Sequence, residues 1–540
     1  MLPTSRIHLS CNRVGVPSSS PESALGKRIR RGDRGPSEAF IVSLFCIATA
    51  IAAFGQTSIV GDASAVSALG SAKMARTAVF TRMHSFCSEE NCADGQGPSG
   101  DLVQGLDGNF YGMTGQGGII NSSCPYGCGV FFKITRGGVL TTLYIFCVQA
   151  SCPDGQGPGG LVLASDGNFY GVTVSGGVIS TNCPYGCGTV FRITSGGALT
   201  TLHSFDSTDG YGPSGLIQGV DGNFYGTTNV SMGFGTLVLA TAFKMTPQGK
   251  LTNIYSASNN YLQFGFQKPD GILYGTSIPA PGRYEPPPQG GTVFEMTPQG
   301  AMTTVYNFCS QANCADGSIP SSLVRAADGS LYGTTFGGGR FGYGVVFRLA
   351  PKGTLTILRS FCSLSKCVDG ASPDAIVQAT DGNFYGETYE NGGTHDGGTL
   401  FEITPEGKLT TLYNFCAQQP GCADGFLPQG GLLQATNGAF YGTTYEGGDQ
   451  QWGTIFRLSL GLGPFITTLP TSAKAGAEVR ILGTSLKNAT AVSFNGVAST
   501  FKIRSASEIV TTVPAGATTG FVTVTTPTAT LSSNVKFRVP

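Results

Sequence analysis

Residues 107–112 read Asp-Gly-Asn-Phe-Tyr-Gly, and the same six residues recur at 166–171, 221–226 and 381–386. Looser copies stand at 270–275 (DGILYG), 328–333 (DGSLYG) and 437–442 (NGAFYG). Successive copies are 59, 55, 49, 58, 53 and 56 residues apart, a period that belongs to a solenoid, a propeller or an array. Each copy sits in the same surroundings. An apolar run such as Leu102-Val103-Gln104 leads into the Asp-Gly turn, and Phe-Tyr-Gly-Thr-Thr follows it. After a variable loop comes Gly-Thr-Val-Phe-x-Ile-Thr, then a Pro-x-Gly turn, then Leu-Thr-Thr-Leu-Tyr-x-Phe. Val, Ile, Phe, Tyr and Thr alternate with period two in these runs, so each unit reads as four strands. Asp-Gly is a tight-hairpin signal. Seven units of four antiparallel strands predict an all-β chain with a seven-bladed β-propeller, with a β-solenoid as the alternative.

The two ends of the repeat region favour the propeller. The seventh unit stops after its third strand, at Gly453-Thr454-Ile455-Phe456, and runs into Gly461-Leu462-Gly463-Pro464. The missing fourth strand appears at the front, as Val79 to Phe86. An N-terminal strand that completes the last blade removes the exposed edges of an open array; a solenoid has no reason to split a unit.

The 540 residues include 81 glycines and only 12% charged residues, with a formal net charge of zero. That charged share is about half the ordinary one, and no basic patch stands out in the expected mature region, which argues against nucleic acid as a partner. Lys27, Arg28, Arg30, Arg31 and Arg34 precede an apolar run from Ala39 to Phe54. That order reads as a signal segment over 1–56, with cleavage among the small residues Ala52 to Ala65 and a linker over 57–76. An uncleaved anchor is the alternative. The long basic stretch points to a start downstream of Met1, and Phe45 before Cys46 does not suit a lipobox. No second apolar run of spanning length follows, so no transmembrane helix is expected in the mature chain. The expected domains are 77–461, the seven repeats, and 462–540, a small immunoglobulin-like β-sandwich.

Two of the 16 cysteines, Cys11 and Cys46, lie in the leader. The others form seven close pairs: Cys87 with Cys92, Cys124 with Cys128, Cys147 with Cys152, Cys183 with Cys187, Cys309 with Cys314, Cys362 with Cys367, and Cys416 with Cys422. Units that lack one member of a pair lack both, as in Phe205-Asp206-Ser207-Thr208-Asp209. Joint loss in an exported chain predicts local disulfides. Zinc is the rival, since CPYGC resembles half a site, but no His sits beside it and the C-x₃-C units read as separate loops. No metal and no cofactor is expected.

In an antiparallel blade, the second-to-third loop and the fourth-to-next loop share one face. All seven Cys pairs therefore mark one face, together with the variable loops that carry Tyr126, Tyr185, Tyr284, Tyr343, Tyr389, Glu390, Tyr445, Glu446 and Trp452. Variable loops on a rigid scaffold are where binding usually resides. Other candidates have plainer readings. His84 and His203 occupy a position that is Tyr in other units and read as packing residues, and His395 reads as solvated. The turn aspartates Asp107, Asp166, Asp221, Asp270, Asp328 and Asp381 lack a calcium-loop pattern and read as turn formers. Asp94, Asp154, Asp209, Asp316, Asp369 and Asp424 read likewise, although on the binding face they have the option of converging. Gln104, Gln218, Gln267, Arg325, Gln378 and Gln434 share one register position in the first strands and read as a polar lining of a central channel.

The motifs DGNFYGTT, GG…GT-[VLI]-F-x-[IL]-T and LTTLYNFC resemble the GloVer tandem repeat of "choice-of-anchor" bacterial surface proteins over roughly residues 77–460. Residues 464–540, with Ala475 to Gly483, Ala491 to Gly496 and Val513 to Gly520, resemble an IPT/TIG domain. The resemblance implies an extracellular or cell-surface protein and brings no activity with it; no apolar tail or sorting signal is visible at the end. The leading expectation is a non-catalytic surface or secreted module that binds a glycan, peptide or cell-envelope ligand through the disulfide-bearing loop face. The alternatives are a structural spacer or adhesin stalk, and a propeller-scaffold lyase or glycoside hydrolase using Glu390, Asp396, Glu446 and Asp449.

Overall fold

The computed structural model describes residues 77–540, apart from 122–123, 232–237, 259, 280–289 and 394. The expected signal segment and linker, and Tyr284, lie outside the described residues. The described chain is built from β-strands, with short 3₁₀ turns and no α-helix among the described residues. No helix there is long and apolar enough to cross a membrane.

The described residues of the repeat region form seven antiparallel sheets, six of them made of four consecutive strands. Sheet 1 shows the pattern: Gln96–Gln104, Phe110–Gln116, Val130–Ile134 and Leu140–Ile145. Sheets 2 to 6 span 156–204, 213–258, 260–307, 318–360 and 371–414. Sheet 7 takes its first three strands from 426–459 and its fourth from Val79–Ser85. That strand lies antiparallel to Thr454–Ser459, with Val79 opposite Ser459 and Ser85 opposite Thr454. The first strand of sheet 7 is interrupted between Pro428 and Leu433.

The repeated Phe-Tyr-Gly explains itself in three contacts. The Tyr of one sheet stacks on the Phe of the next, with ring centroids 4.4 Å apart for Tyr111–Phe169, 4.1 Å for Tyr170–Phe224, 4.1 Å for Tyr332–Phe384 and 4.5 Å for Tyr385–Phe440. Tyr441 of sheet 7 stacks on Phe110 of sheet 1 at 4.0 Å. The Gly lies under a Phe of the third strand: a Cβ on Gly112 would come 2.5 Å from Phe132 Cζ, and one on Gly333 would come 2.5 Å from Phe347 Cζ. The buried apolar clusters accordingly lie between neighbouring sheets, and one joins Phe86 and Tyr441 of sheet 7 to Phe110 and Phe132 of sheet 1.

The turn of the motif differs in detail from a two-residue Asp-Gly hairpin. Gly108 donates its N–H to Gly105 O at 2.9 Å, so Leu106 and Asp107 are the central residues. Gly108 follows them in the left-handed region (φ 80°), which makes a longer hairpin with a glycine bulge. Asp107 accepts from the Asn109 N–H at 3.1 Å, Asn109 Nδ2 at 2.7 Å and the Tyr111 hydroxyl at 2.9 Å. Asp, Asn and Tyr thus recur together because one carboxylate ties the turn to the following strand.

The C-terminal part has two four-stranded sheets around a core that includes Ile466, Val479, Ile481, Val492, Phe494 and Ile509. It meets the short-turn side of the repeats: Ser507 Oγ donates to Leu106 O at 2.7 Å, Arg136 Nη2 to Thr484 Oγ1 at 3.1 Å, and the Phe465 N–H to Thr436 O at 3.0 Å.

The Phe-over-glycine contact predicts that Gly171→Ala, whose added Cβ would come 2.6 Å from Phe191 Cζ with no backbone atom nearer, lowers stability by about 1–3 kcal/mol through overpacking. Gly159→Ala, where nothing lies within 4 Å of the added Cβ, is the control and stays within about 0.5 kcal/mol of wild type. Urea-unfolding midpoints compare the two; equal midpoints would remove the contact from the account.

Candidate functional site

The seven cysteine pairs form seven local disulfides, each closing a loop of four to six positions. Five lie in fourth-to-next loops. Cys87 is bonded to Cys92 and Cys147 to Cys152. Cys309 is bonded to Cys314, Cys362 to Cys367 and Cys416 to Cys422. The other two lie in second-to-third loops, where Cys124 is bonded to Cys128 and Cys183 to Cys187. In the fourth-to-next loops both cysteines take the left-handed region, as Cys309 (φ 59°) and Cys314 (φ 49°) do. The chain there turns too tightly for a strand, and the disulfide spans the turn.

Inside each fourth-to-next loop that carries a disulfide, the downstream aspartate acts as an organiser. Asp316 is buried; it accepts from the Ser310 N–H at 3.0 Å, Ser310 Oγ at 2.8 Å, the Gln311 N–H at 3.3 Å and the Tyr306 hydroxyl at 2.9 Å. Asp94, Asp369 and Asp424 repeat the arrangement with His84 Nε2, Arg359 Nη2 and the Tyr413 hydroxyl in place of Tyr306. These aspartates do not converge: each is used up inside its own loop. His84 and His203 are more than packing residues, since Nε2 of each faces an organising carboxylate, Asp94 at 3.0 Å and Asp209 at 2.7 Å. Burial alone would raise the carboxyl pKa of Asp94, Asp316 and Asp369, but the hydrogen bonds outweigh it and hold all three below the usual range.

The C-x₃-C loop of sheet 1 lies beside a second cysteine loop, that of Cys147 and Cys152. The Sγ atoms of Cys124, Cys128, Cys147 and Cys152 all lie within 4.8 Å of one another, because the second-to-third loop of sheet 1 packs beside the loop that leads to sheet 2. Both pairs are disulfides, so none of the four sulfurs is a thiolate ligand as the chain stands.

The glutamines of the first strands are clips between sheets rather than a free polar lining. Gln218 Oε1 accepts the Ser165 N–H of sheet 2 at 2.8 Å, and Gln378 Oε1 accepts the Ala327 N–H of sheet 5 at 2.9 Å. Gln267 and Gln434 do the same to Val220 and Thr380. Gln104 of sheet 1 accepts the Thr436 N–H of sheet 7 at 3.0 Å. Leu163 and Arg325 hold this position in sheets 2 and 5.

Of the aromatic candidates, Tyr126, Tyr185, Tyr343, Tyr445 and Trp452 are exposed. Tyr126, Tyr185, Tyr343 and Trp452 are spread over the loops of separate units. Tyr389, Glu390, Tyr445 and Glu446 come together where sheets 6 and 7 adjoin. Burial raises the Tyr389 hydroxyl pKa, and the charges of Glu446, Glu390 and Asp374 add to it. Tyr445 also covers sheet 1, its ring 3.2 Å from where a Cβ on Gly97 would stand, and the Gly97 N–H donates to Trp452 O at 2.9 Å. Of the other acids considered, Asp396 is exposed and Asp449 is paired with Arg82 at 2.6 Å. Two open grooves, of about 540 Å³ beside Thr142–Ile145 and about 160 Å³ beside Tyr261, do not include these aromatic residues.

Three residues not singled out in the sequence lie close to this group: Asp101, Asp374 and Glu387. Burial raises the carboxyl pKa of Asp374 and Glu387, while Asp101 is exposed. A signal existed for one of them: Glu387 stands in Phe-Tyr-Gly-Glu-Thr where sheets 3, 4, 5 and 7 have Thr.

The Gloeobacter/Verrucomicrobia repeat matches residues 118–323 and 319–482, and an IPT/TIG domain matches residues 464–539. The comparison with curated proteins gives no match. Among solved structures, PorZ, described as a bacterial surface component of the type-IX secretion system of Porphyromonas gingivalis, aligns at 13% identity over 80% of this chain and 58% of its own, with a TM-score of 0.40. An α-L-arabinanase of Penicillium chrysogenum aligns at 12% identity over 56% and 92%, TM-score 0.37. A luciferin-regenerating enzyme aligns at 14% identity over 57% and 92%, TM-score 0.36.

Non-reducing peptide mapping should yield only the seven local links, and a free-thiol count near fourteen would overturn them. Asp316→Asn costs about 1.5–3 kcal/mol at pH 7, the value of hydrogen bonds to a charged group. Because the folded-state pKa lies below the unfolded value of about 3.9, this stabilisation is complete above that value and disappears as pH falls through the folded one. The melting-temperature gap between wild type and Asp316→Asn is therefore full at pH 6 and closes in strong acid; a gap independent of pH would contradict the carboxylate's role.

Proposed function

From a chain that belongs to the Gloeobacter/Verrucomicrobia repeat family and ends in an IPT/TIG domain, we propose a non-catalytic surface or secreted binding protein that holds its ligand on the disulfide-bearing loop face of a closed, seven-bladed β-propeller. The propeller reading is supported by the seven sheets, by the stacking of Tyr441 on Phe110 and by the Gln104–Thr436 clip between the last sheet and the first. The domain boundaries that accompany it are 77–461 for the propeller and 462–540 for the sandwich. Location outside the cell is supported by seven disulfides, which persist in oxidising compartments.

The observation that carries the ligand reading is the meeting of Tyr389, Tyr445, Glu390 and Glu446 where sheets 6 and 7 adjoin, with Trp452 on the same stretch of loops. Aromatic faces offer apolar platforms for the C–H faces of a sugar ring, and carboxylates accept from its hydroxyls. Of the ligand classes weighed, glycan, peptide and envelope component, this set fits a neutral glycan best. Two carboxylates with no cation in an ion pair among the described residues disfavour an acidic ligand. The C-terminal sandwich contacts the opposite, short-turn side and leaves these loops uncovered.

A glycan array probed with the purified chain should return a saturable neutral ligand, and Tyr445→Ala and Trp452→Ala should each weaken it about tenfold, as loss of a contact worth about 1.4 kcal/mol does. Retention of affinity in both variants would move the site elsewhere, and binding to peptides alone would replace the glycan reading.

A further inference from the structure

Two units carry the same loop between their second and third strands: Cys124-Pro125-Tyr126-Gly127-Cys128 in sheet 1 and Cys183-Pro184-Tyr185-Gly186-Cys187 in sheet 2. The same backbone bonds close both. The Gly127 N–H donates to Cys124 O and the Gly186 N–H to Cys183 O, each at 3.0 Å. Each loop also meets the next fourth-to-next loop in the same way: the Gly157 N–H donates to Cys128 O at 3.0 Å, and the Gly212 N–H to Cys187 O at 2.9 Å. What differs is the neighbouring loop. Beside Cys183 and Cys187 it reads Phe205-Asp206-Ser207-Thr208-Asp209, without cysteine; beside Cys124 and Cys128 it holds Cys147 and Cys152.

Four sulfurs therefore converge at one place, with every pair of Sγ atoms within 4.8 Å. None of the four residues is more than 7% exposed. They share an apolar cluster with Met113, Phe131, Phe146 and Phe191, so the group lies in the seam between sheets 1 and 2.

Two side-chain amides face the sulfurs. Asn121 Nδ2 donates to Cys147 O at 3.1 Å and lies 3.7 Å from Cys147 Sγ. The Gln156 amide oxygen lies 2.9 Å from Cys124 Sγ, 3.7 Å from Cys152 Sγ and 4.0 Å from Cys128 Sγ. A disulfide sulfur has no hydrogen to give that oxygen. Turned end for end, which leaves the shape of the amide unchanged, Gln156 offers its N–H groups to the same three sulfurs. Donors in that position suit thiolates, whose charge they offset.

The geometry points to a tetrahedral zinc site formed by the thiolates of Cys124, Cys128, Cys147 and Cys152 once their two disulfides are reduced. The disulfides and the metal are alternative states of one cluster. Zinc holds four thiolates at about 2.3 Å, which sets the sulfurs about 3.8 Å apart; the bonded pairs part, and the widest separations close by about 1 Å. An all-sulfur set selects zinc over calcium or magnesium. Each disulfide takes two electrons and two protons from a dithiol, which leaves as a disulfide, so two dithiols yield four thiols. One Zn²⁺ then displaces the four thiol protons. A chain made in a reducing compartment passes through this thiol state before its bridges form. In the oxidised chain each bridge closes its own loop, whereas zinc ties the loop of sheet 1 to the loop that leads to sheet 2. The assignment is independent of the loop-face ligand.

The full chain, reduced without air, is titrated with Zn²⁺ against a competing chelator and with Co²⁺, whose visible absorption reports tetrahedral thiolate ligation. One equivalent should bind tightly, and affinity should fall by about tenfold or more from pH 8 to pH 6 as protons compete for the sulfurs. Cys147→Ser with Cys152→Ser keeps the CPYGC loop and should weaken binding by about a hundredfold or more. Cys183→Ser with Cys187→Ser removes the matching loop that has no cysteine neighbour, and should leave the stoichiometry and the Co²⁺ spectrum as in wild type. The assignment fails if the reduced chain holds no zinc, if the Co²⁺ bands lack thiolate character, or if the first double variant binds as wild type does. It also fails if the second double variant loses binding as the first does, or if reduction melts the fold by circular dichroism and zinc does not restore it.

Discussion

The architecture depends on one contact repeated around the repeats: the ring of a Tyr in one sheet laid against the Phe of the next. Phe-Tyr places two large rings on opposite faces of one strand, because neighbouring side chains of a strand alternate. Each second strand therefore grips the sheet before it with Phe and the sheet after it with Tyr. The glycine that follows lets the tip of the third-strand Phe ring come close to the backbone, as with Gly112 and Phe132. Aromatic pairs add about 0.5–1.5 kcal/mol each beyond the area they bury. Where sheets 4 and 5 offer Leu273 and Leu331 in place of Phe, the apolar cluster persists without ring stacking.

A second layer of specificity is polar and runs along the same seams. The glutamine of a first strand caps the turn of the preceding sheet, and the turn aspartate binds the hydroxyl of its own Tyr. The glutamine pairs a backbone N–H of the neighbouring turn, and the aspartate also accepts the N–H of its own turn's Asn, as Asp166 does from Asn168. The loops on the other face follow a different economy: a short disulfide and a buried aspartate together hold a loop too brief for strands of its own. The Cys-free loop of Asp206 and Asp209 shows that the carboxylate part works without the sulfur, with Asp209 Oδ1 accepting the Asp206 N–H at 2.9 Å.

Much of this was legible from the repeats, because period and alternation report directly on which face each residue takes. Asp107, Phe110, Tyr111 and Gly112 announced a turn followed by a strand, and the pairing of cysteines followed from their joint loss. What could not be read concerns contacts between units. The glutamines look like a lining when only register is known, since their partners lie roughly fifty residues away, or at the far end of the chain for Gln104. Asp101 and Asp374 sit in the least regular part of the unit, where the first strands carry register shifts, so alignment of the repeats does not superpose them. The adjacency of the loops of Cys124 and Cys147 is likewise a product of packing rather than spacing.

The division of the last sheet between the two ends of the chain sets a schedule. Residues 79–85 leave the ribosome before any other strand of the repeats, yet their partners, 454–459, are 369 to 380 positions downstream. Sheets 1 to 6 contain their own four strands and have what they need to form in order of synthesis. The first strand made must wait, unpaired, for almost the whole chain to follow it. Its composition suits a long wait: Val-Phe-Thr-Arg-Met-His-Ser carries an arginine and a histidine at its middle, the kind of residues that discourage a waiting strand from pairing with a stranger.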